Sequence, residues 1–205
     1  MNPTTLLLVD LQNDFMPGGA LAVANADEVI PVANELISQF DLVVATQDWH
    51  PPEHGSFATS HEGGKVFDQI ELNGLPQTLW PDHCIQNTGG ALFAPGLNTA
   101  AIDRVFPKGT DPEIDSYSGF HDNGKRASTG LGDWLRAQGV TAITVLGVAT
   151  DYCVKFTVLD ALDEGFAVTL HLPGCRGVDL QDGDCEKAIQ EMQEAGALIQ
   201  KSADS

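Results

Sequence analysis

Two stretches of the chain are apolar at nearly every position: Leu6-Leu7-Leu8-Val9 within residues 4–10, and TAITVLGVA at residues 141–149. A strand that is apolar throughout, rather than at alternate residues, has no face turned to water. Such strands belong to parallel sheets covered by helices on both sides. Weaker strand patterns cover 41–48 (built on Leu42, Val43 and Val44), 102–107, 166–172 and 197–200. Helical spacing fills the intervals. It covers 27–40 with Ile30, Ala33, Leu36 and Ile37, 129–138 with Trp134 and Leu135, and 184–194. The fourth helix is expected over 151–164, with Tyr152, Phe156, Leu159 and Leu162 on its buried stripe. Strand–helix alternation predicts an α/β fold: a doubly wound, mainly parallel six-stranded sheet with helices on both faces, Rossmann-like in arrangement. The 205 residues are read as one domain. An irregular insertion at about 49–98, rich in Gly, Pro, His and aromatics, breaks the rhythm. Long irregular segments in compact domains are usually functional.

Charge narrows the partners. Ten Lys+Arg against 29 Asp+Glu leave a net charge of -19, a field that repels nucleic acid and anionic membrane surfaces alike. No apolar run approaches a bilayer span. The first apolar run has no basic flank, and the four cysteines Cys84, Cys153, Cys175 and Cys185 form no C-x-x-C pair. A reduced, cytoplasmic protein is the expectation.

Open parallel sheets bind ligands at the carboxyl ends of their strands. The expected strands end at Asp10, Asp48 and Lys108, and the central one runs into Cys153. Taken singly, a strand-end Asp is as readily the cap of a turn, a Lys a solvated charge, and a buried Cys a small hydrophobe. Together they place two carboxylates, an ammonium and a thiol along one sheet edge. Thr150 and Asp151 are good helix starters, which puts Cys153 in a first helical turn. There the dipole and free N–H groups are expected to lower its pKa and to hold an oxyanion. Asp10 suits the role of proton acceptor and Lys108 that of an electrostatic partner.

Four of the six histidines (His50, His54, His61 and His83) fall in the insertion. Asp48 and His50 are two residues apart at a strand end and point to one side. With His83 they form an Asp-His-His set suited to a divalent transition metal. His54 stands as a fourth ligand or a supporting group, and exposed loop histidines are the alternative for His54 and His61.

The stretches VDLQNDF (9–15), TQDWHPPEHGSF (46–57), WPDHC (80–84), VFPKGTD (105–111), YSGF (117–120) and GVATDYC (147–153) resemble the nicotinamidase/pyrazinamidase family of isochorismatase-like cysteine hydrolases. The resemblance spans most of the chain. It implies a catalytic triad of Asp10, Lys108 and Cys153 and metal ligands Asp48, His50 and His83. It further implies a cis peptide before Ala149, an oxyanion hole from Ala149 and Cys153, and a ring pocket of Phe15, Trp80 and Tyr117. A further family ligand falls in register on Ser56, two residues beyond His54, so the fourth ligand stays open between them. The implied activity is a metal-dependent cysteine amidohydrolase in NAD salvage. It would convert nicotinamide to nicotinate and ammonia, and pyrazinamide to pyrazinoate, through a Cys thioester. The implied cofactor is one divalent metal, zinc first, with iron or manganese as alternates. The implied partner is the small-molecule substrate, with homo-oligomerisation left open. A hydrolase whose metal-held water attacks, with Cys153 inert, is the alternative of a different class.

Overall fold

A computed structural model describes residues 2–202. Six strands form one parallel sheet: β1 (Thr5–Val9), β2 (Leu42–Asp48), β5 (Arg104–Lys108), β6 (Ala142–Val148), β7 (Ala167–Arg176) and β8 (Leu198–Gln200). Their order across the sheet is β5-β2-β1-β6-β7-β8. Strand order reverses between β1 and β6, and this is where a doubly wound sheet opens a crevice. Helices α1 (Val29–Ile37), α2 (Leu131–Ala137), α3 (Lys155–Asp163) and α4 (Asp184–Glu194) connect the strands. No helix among the described residues is long and apolar enough to cross a membrane. The four cysteines are free thiols.

Burial follows the apolar runs. Leu6, Leu7, Leu8 and Val9 are each 0% exposed, at the centre of the sheet. Burying one such leucine contributes roughly 1.5–3 kcal/mol. The stripe expected on α3 is corrected. Its buried residues are Thr157, Val158, Asp160 and Ala161, while Phe156 is 38% exposed. Leu159 and Leu162 of that stripe still pack half-buried against the core, and Phe156 turns outward. The insertion is also less irregular than expected. It contains an antiparallel hairpin, β3 (Gln69–Leu72) and β4 (Leu75–Thr78). Asn73 and Gly74 turn it with φ of 51° and 83°, the left-handed pair that a two-residue hairpin turn requires.

Register delivers the polar strand ends to one place. On β2 and β5, Asp48 pairs with Lys108. Leu8 pairs with Ala45 on one side and Leu146 on the other, and Val9 pairs with Gly147. The ends of β1, β2, β5 and β6 therefore meet at the crevice. Leu8→Ala should lower unfolding free energy by about 2–5 kcal/mol in urea denaturation, the range for a leucine cavity that cannot collapse.

Candidate active site

Asp10 follows β1 directly with φ of 51°, in the left-handed region that Asp tolerates better than most residues, and it is fully buried. Lys108 ends β5, 2% exposed. Its Nζ lies 2.9 Å from Asp10 Oδ2 and 3.4 Å from Cys153 Sγ, and it donates to the Ser116 carbonyl at 3.0 Å. The same ammonium contacts Asp48 Oδ1. Burial alone would lower the Lys108 pKa, but the carboxylates of Asp10 and Asp48 raise it well above its ordinary value. Burial would likewise raise Asp48, yet the Lys108 ammonium holds it well below the usual carboxylate range. Asp10 is pushed up, burial outweighing the pull of Lys108.

Cys153 sits in a π-helical turn, Thr150–Val154, between β6 and α3. The expected depression of its pKa is overturned. Burial pushes the thiol well above its ordinary value, with Asp10 and Asp48 adding to the shift and Lys108 opposing it. The thiol is 7% exposed, and the upward push from burial and the two carboxylates opposes what a helix dipole would do. The peptide before Ala149 is cis, matching the sequence expectation.

The second cluster shares Asp48. Its Oδ2 lies 3.6 Å from His50 Nε2 and 3.7 Å from His83 Nε2. Both histidines engage their other nitrogen on backbone: His50 Nδ1 with the Gly109 carbonyl at 2.9 Å and His83 Nδ1 with the Pro81 carbonyl at 2.8 Å. A carbonyl can only accept, so each Nδ1 carries the proton and each Nε2 offers a lone pair beside the carboxylate. That tautomer and the shared oxygen fit a divalent metal. Asp10, Asp48 and Cys153 are also close enough to hold a cation, but the Lys108 ammonium is already the charge among them.

His54 and Ser56 face each other. Ser56 N–H donates to His54 Nδ1 at 3.2 Å, and the Ser56 hydroxyl lies 2.7 Å from the same atom. Nδ1 is thus an acceptor and Nε2 carries the proton. Burial drops this histidine's pKa to about 4, so the ring is neutral. His54 lies nearer His50 and Asp115 than the Asp48–His83 pair.

A cavity opens onto both clusters, lined by Phe15, Asp48, His50, Trp80, His83, Asp115, Tyr117, Ala149, Tyr152 and Cys153. Asp10 and Lys108 lie behind its floor. Trp80 Nε1 donates to the Tyr117 hydroxyl at 3.2 Å, and the Tyr152 ring meets Trp80 edge-on with centroids 4.9 Å apart. His61 points away from the clusters, 2.7 Å from the Gly55 carbonyl.

Sequence reasoning missed three residues here. Tyr152 was assigned to the helix core, although it adjoins Cys153 in one motif. Asp115 is two residues before Tyr117 and accepts from Gln77 Nε2 at 3.1 Å, with no local signal to mark it. Gln12, inside VDLQNDF, clamps the Asp48 backbone, donating to its carbonyl at 2.8 Å and accepting its N–H at 2.8 Å.

The isochorismatase domain matches residues 4–204. The nicotinamidase of Escherichia coli strain K12 is 53% identical, over 100% of this chain and 97% of that protein. The solved Acinetobacter baumanii nicotinamidase/pyrazinamidase superposes with a TM-score of 0.94 at 45% identity, covering 97% of this chain and 96% of that one. A Pyrococcus horikoshii pyrazinamidase solved in complex with zinc gives 0.79 at 40% identity, covering 97% and 99%. With the reversed strand order, the buried acid–amine–thiol set and matches of this extent, the chain belongs to the isochorismatase family, in the group of its nicotinamidases.

Proposed function

We propose that the protein is a cysteine amidohydrolase that converts nicotinamide to nicotinate and ammonia, and accepts pyrazinamide. The observation that carries this reading is the Lys108 ammonium, 2.9 Å from Asp10 and 3.4 Å from the Cys153 sulfur at the floor of an aromatic cavity. Catalytic roles go to Asp10, Lys108 and Cys153, and backbone N–H groups of Ala149 and Cys153 serve as the oxyanion hole.

The substrate ring lies among Phe15, Trp80, Tyr117 and Tyr152, with its carboxamide carbon over Sγ. Holding it there replaces a bimolecular encounter by an oriented one. Asp10 accepts the thiol proton as sulfur attacks the carbonyl carbon, and Lys108 balances the charge that shifts between them. Donors aimed at the oxyanion supply about 3–4 kcal/mol each in related acyl transfers. Asp10 then passes its proton to the departing nitrogen, ammonia leaves, and a thioester remains on Cys153. Asp10 next deprotonates a water, the hydroxide adds to the thioester carbon and the C–S bond breaks. Asp10 returns its proton to the sulfur, and the acid loses its own proton to solvent as it leaves as nicotinate. Asp10 is suited to both directions of transfer because burial raises its pKa towards the working range. Asp48, His50 and His83 would hold one divalent metal, zinc by the donor set, which supplies a Lewis acid to orient the substrate ring. Nicotinamide turnover returns the pyridine ring to NAD salvage. Tyr117 and Trp80 keep their bridging hydrogen bond in this scheme and act as walls.

Ammonia release from nicotinamide, with and without chelator, tests the reading, and no release by metal-replete protein would overturn it. Cys153→Ala should reduce kcat by more than about 10³-fold, as loss of a nucleophile does, while metal content stays at the wild-type ratio. Activity near wild type would remove the thiol from the mechanism. His50→Ala should weaken metal retention by roughly 10–100-fold or more on dialysis against chelator. An unchanged metal-to-protein ratio would strike it from the ligands.

A further inference from the structure

We propose that Thr46 is the positioning residue for the triad's acid: its hydroxyl pins one oxygen of Asp10 so that the other faces the thiol and the ammonium. This deepens the reading of Asp10, Lys108 and Cys153 as the reacting groups, and rests on it. Thr46 lies on β2, fully buried, two residues before Asp48 and so on the same face of the strand. Its hydroxyl donates to Asp10 Oδ1 at 2.6 Å, a charge-assisted bond across 36 residues of sequence. The other oxygen, Oδ2, faces the Lys108 ammonium at 2.9 Å.

That division of labour matters because a carboxylate rotates easily about its last torsion, which has a broad, two-fold profile. Lys108 cannot stop the rotation alone, since its ammonium is drawn at once to Asp48 and to the Ser116 carbonyl. Thr46 can. Its own rotamer is set from behind by Gly119 of the YSGF stretch, where an added methyl would lie 2.6 Å from Thr46 Cγ2. Gly119 is itself tied at both ends. Its N–H donates to Thr157 Oγ1 on α3 at 2.9 Å, and its carbonyl accepts from the Thr129 hydroxyl at 2.6 Å. A chain of contacts thus runs from α3 through Gly119 and Thr46 to the proton-accepting carboxylate. It also accounts for the YSGF glycine, which is not among the residues lining the cavity.

The experiment separates the hydroxyl from the packing. Thr46→Val keeps the shape and removes the donor, whereas Thr46→Ser keeps the donor and removes the methyl. For each variant, kcat and KM for ammonia release, the alkylation rate of Cys153 by iodoacetamide, bound metal and Tm are measured. Thr46→Val should lower kcat about 10–100-fold with KM within about threefold, the effect of an acid misplaced by about 1 Å. Alkylation should slow in parallel, with metal content unchanged. Thr46→Ser should stay within about threefold of wild type in both rates. A Thr46→Val kcat within twofold of wild type, or a Thr46→Ser loss as deep as that of Thr46→Val, overturns the proposal. Should Thr46→Val not fold, Gly119→Ala decides: a kcat drop beyond tenfold in metal-bound protein supports it and an unchanged kcat overturns it. An inactive wild type whose thiol resists alkylation defeats the amidase reading itself, whereas an active wild type with a silent Thr46→Val defeats only the role of Thr46.

Discussion

The Lys108 ammonium, buried among Asp10, Asp48, the Ser116 carbonyl and the Cys153 sulfur, is the interaction around which the site is organised. Moving an ion of this size out of water costs several kcal/mol even after relaxation, and the cost is offset only when every partner is in place. Two carboxylates against one ammonium leave an excess negative charge. Asp48 places that excess where it is useful, with Oδ1 on Lys108 and Oδ2 towards the Nε2 atoms of His50 and His83. One carboxylate thus joins the two side-chain clusters.

The fold supplies the rigidity this arrangement demands. Parallel pairing sets Asp48 opposite Lys108 and brings the end of β1 beside that of β6, at the reversal of strand order. Gln12 locks the backbone of Asp48 from both sides. His50 and His83 are held in one tautomer by carbonyls of the surrounding loops. Loops thus carry the two histidines and the aromatic walls, while the strand ends carry the buried charges.

The thiol is where local reasoning gave way. A cysteine in a first helical turn reads as an activated thiolate, but this turn is π-helical and the sulfur is enclosed between acids. Burial outweighs the neighbouring ammonium, and in the proposed reaction that leaves activation to a base. This makes the orientation of Asp10, and what holds it, more consequential than the helix end.

The alternation of buried strands with helices, and the residues at the strand ends, were legible because both depend on patterns within a few residues. Four uninterrupted apolar positions exclude water from both faces of β1, and every parallel strand then ends on the same edge. That reasoning pointed to Asp10, Asp48, Lys108 and Cys153, loop spacing pointed to His50 and His83, and the family resemblance pointed to Phe15, Trp80 and Tyr117. The hairpin at Asn73-Gly74 was written locally too, as a turn pair between short strands that went unread. What no local pattern could encode was contact between segments brought together only by register and packing: Thr46 on Asp10, Gln12 on Asp48, Asp115 beside His54, and the face of α3 that turns inward. Nor could it encode the upward push on the Cys153 thiol. A pKa depends on how many charges share a dry space, and that space exists only after the strands have paired.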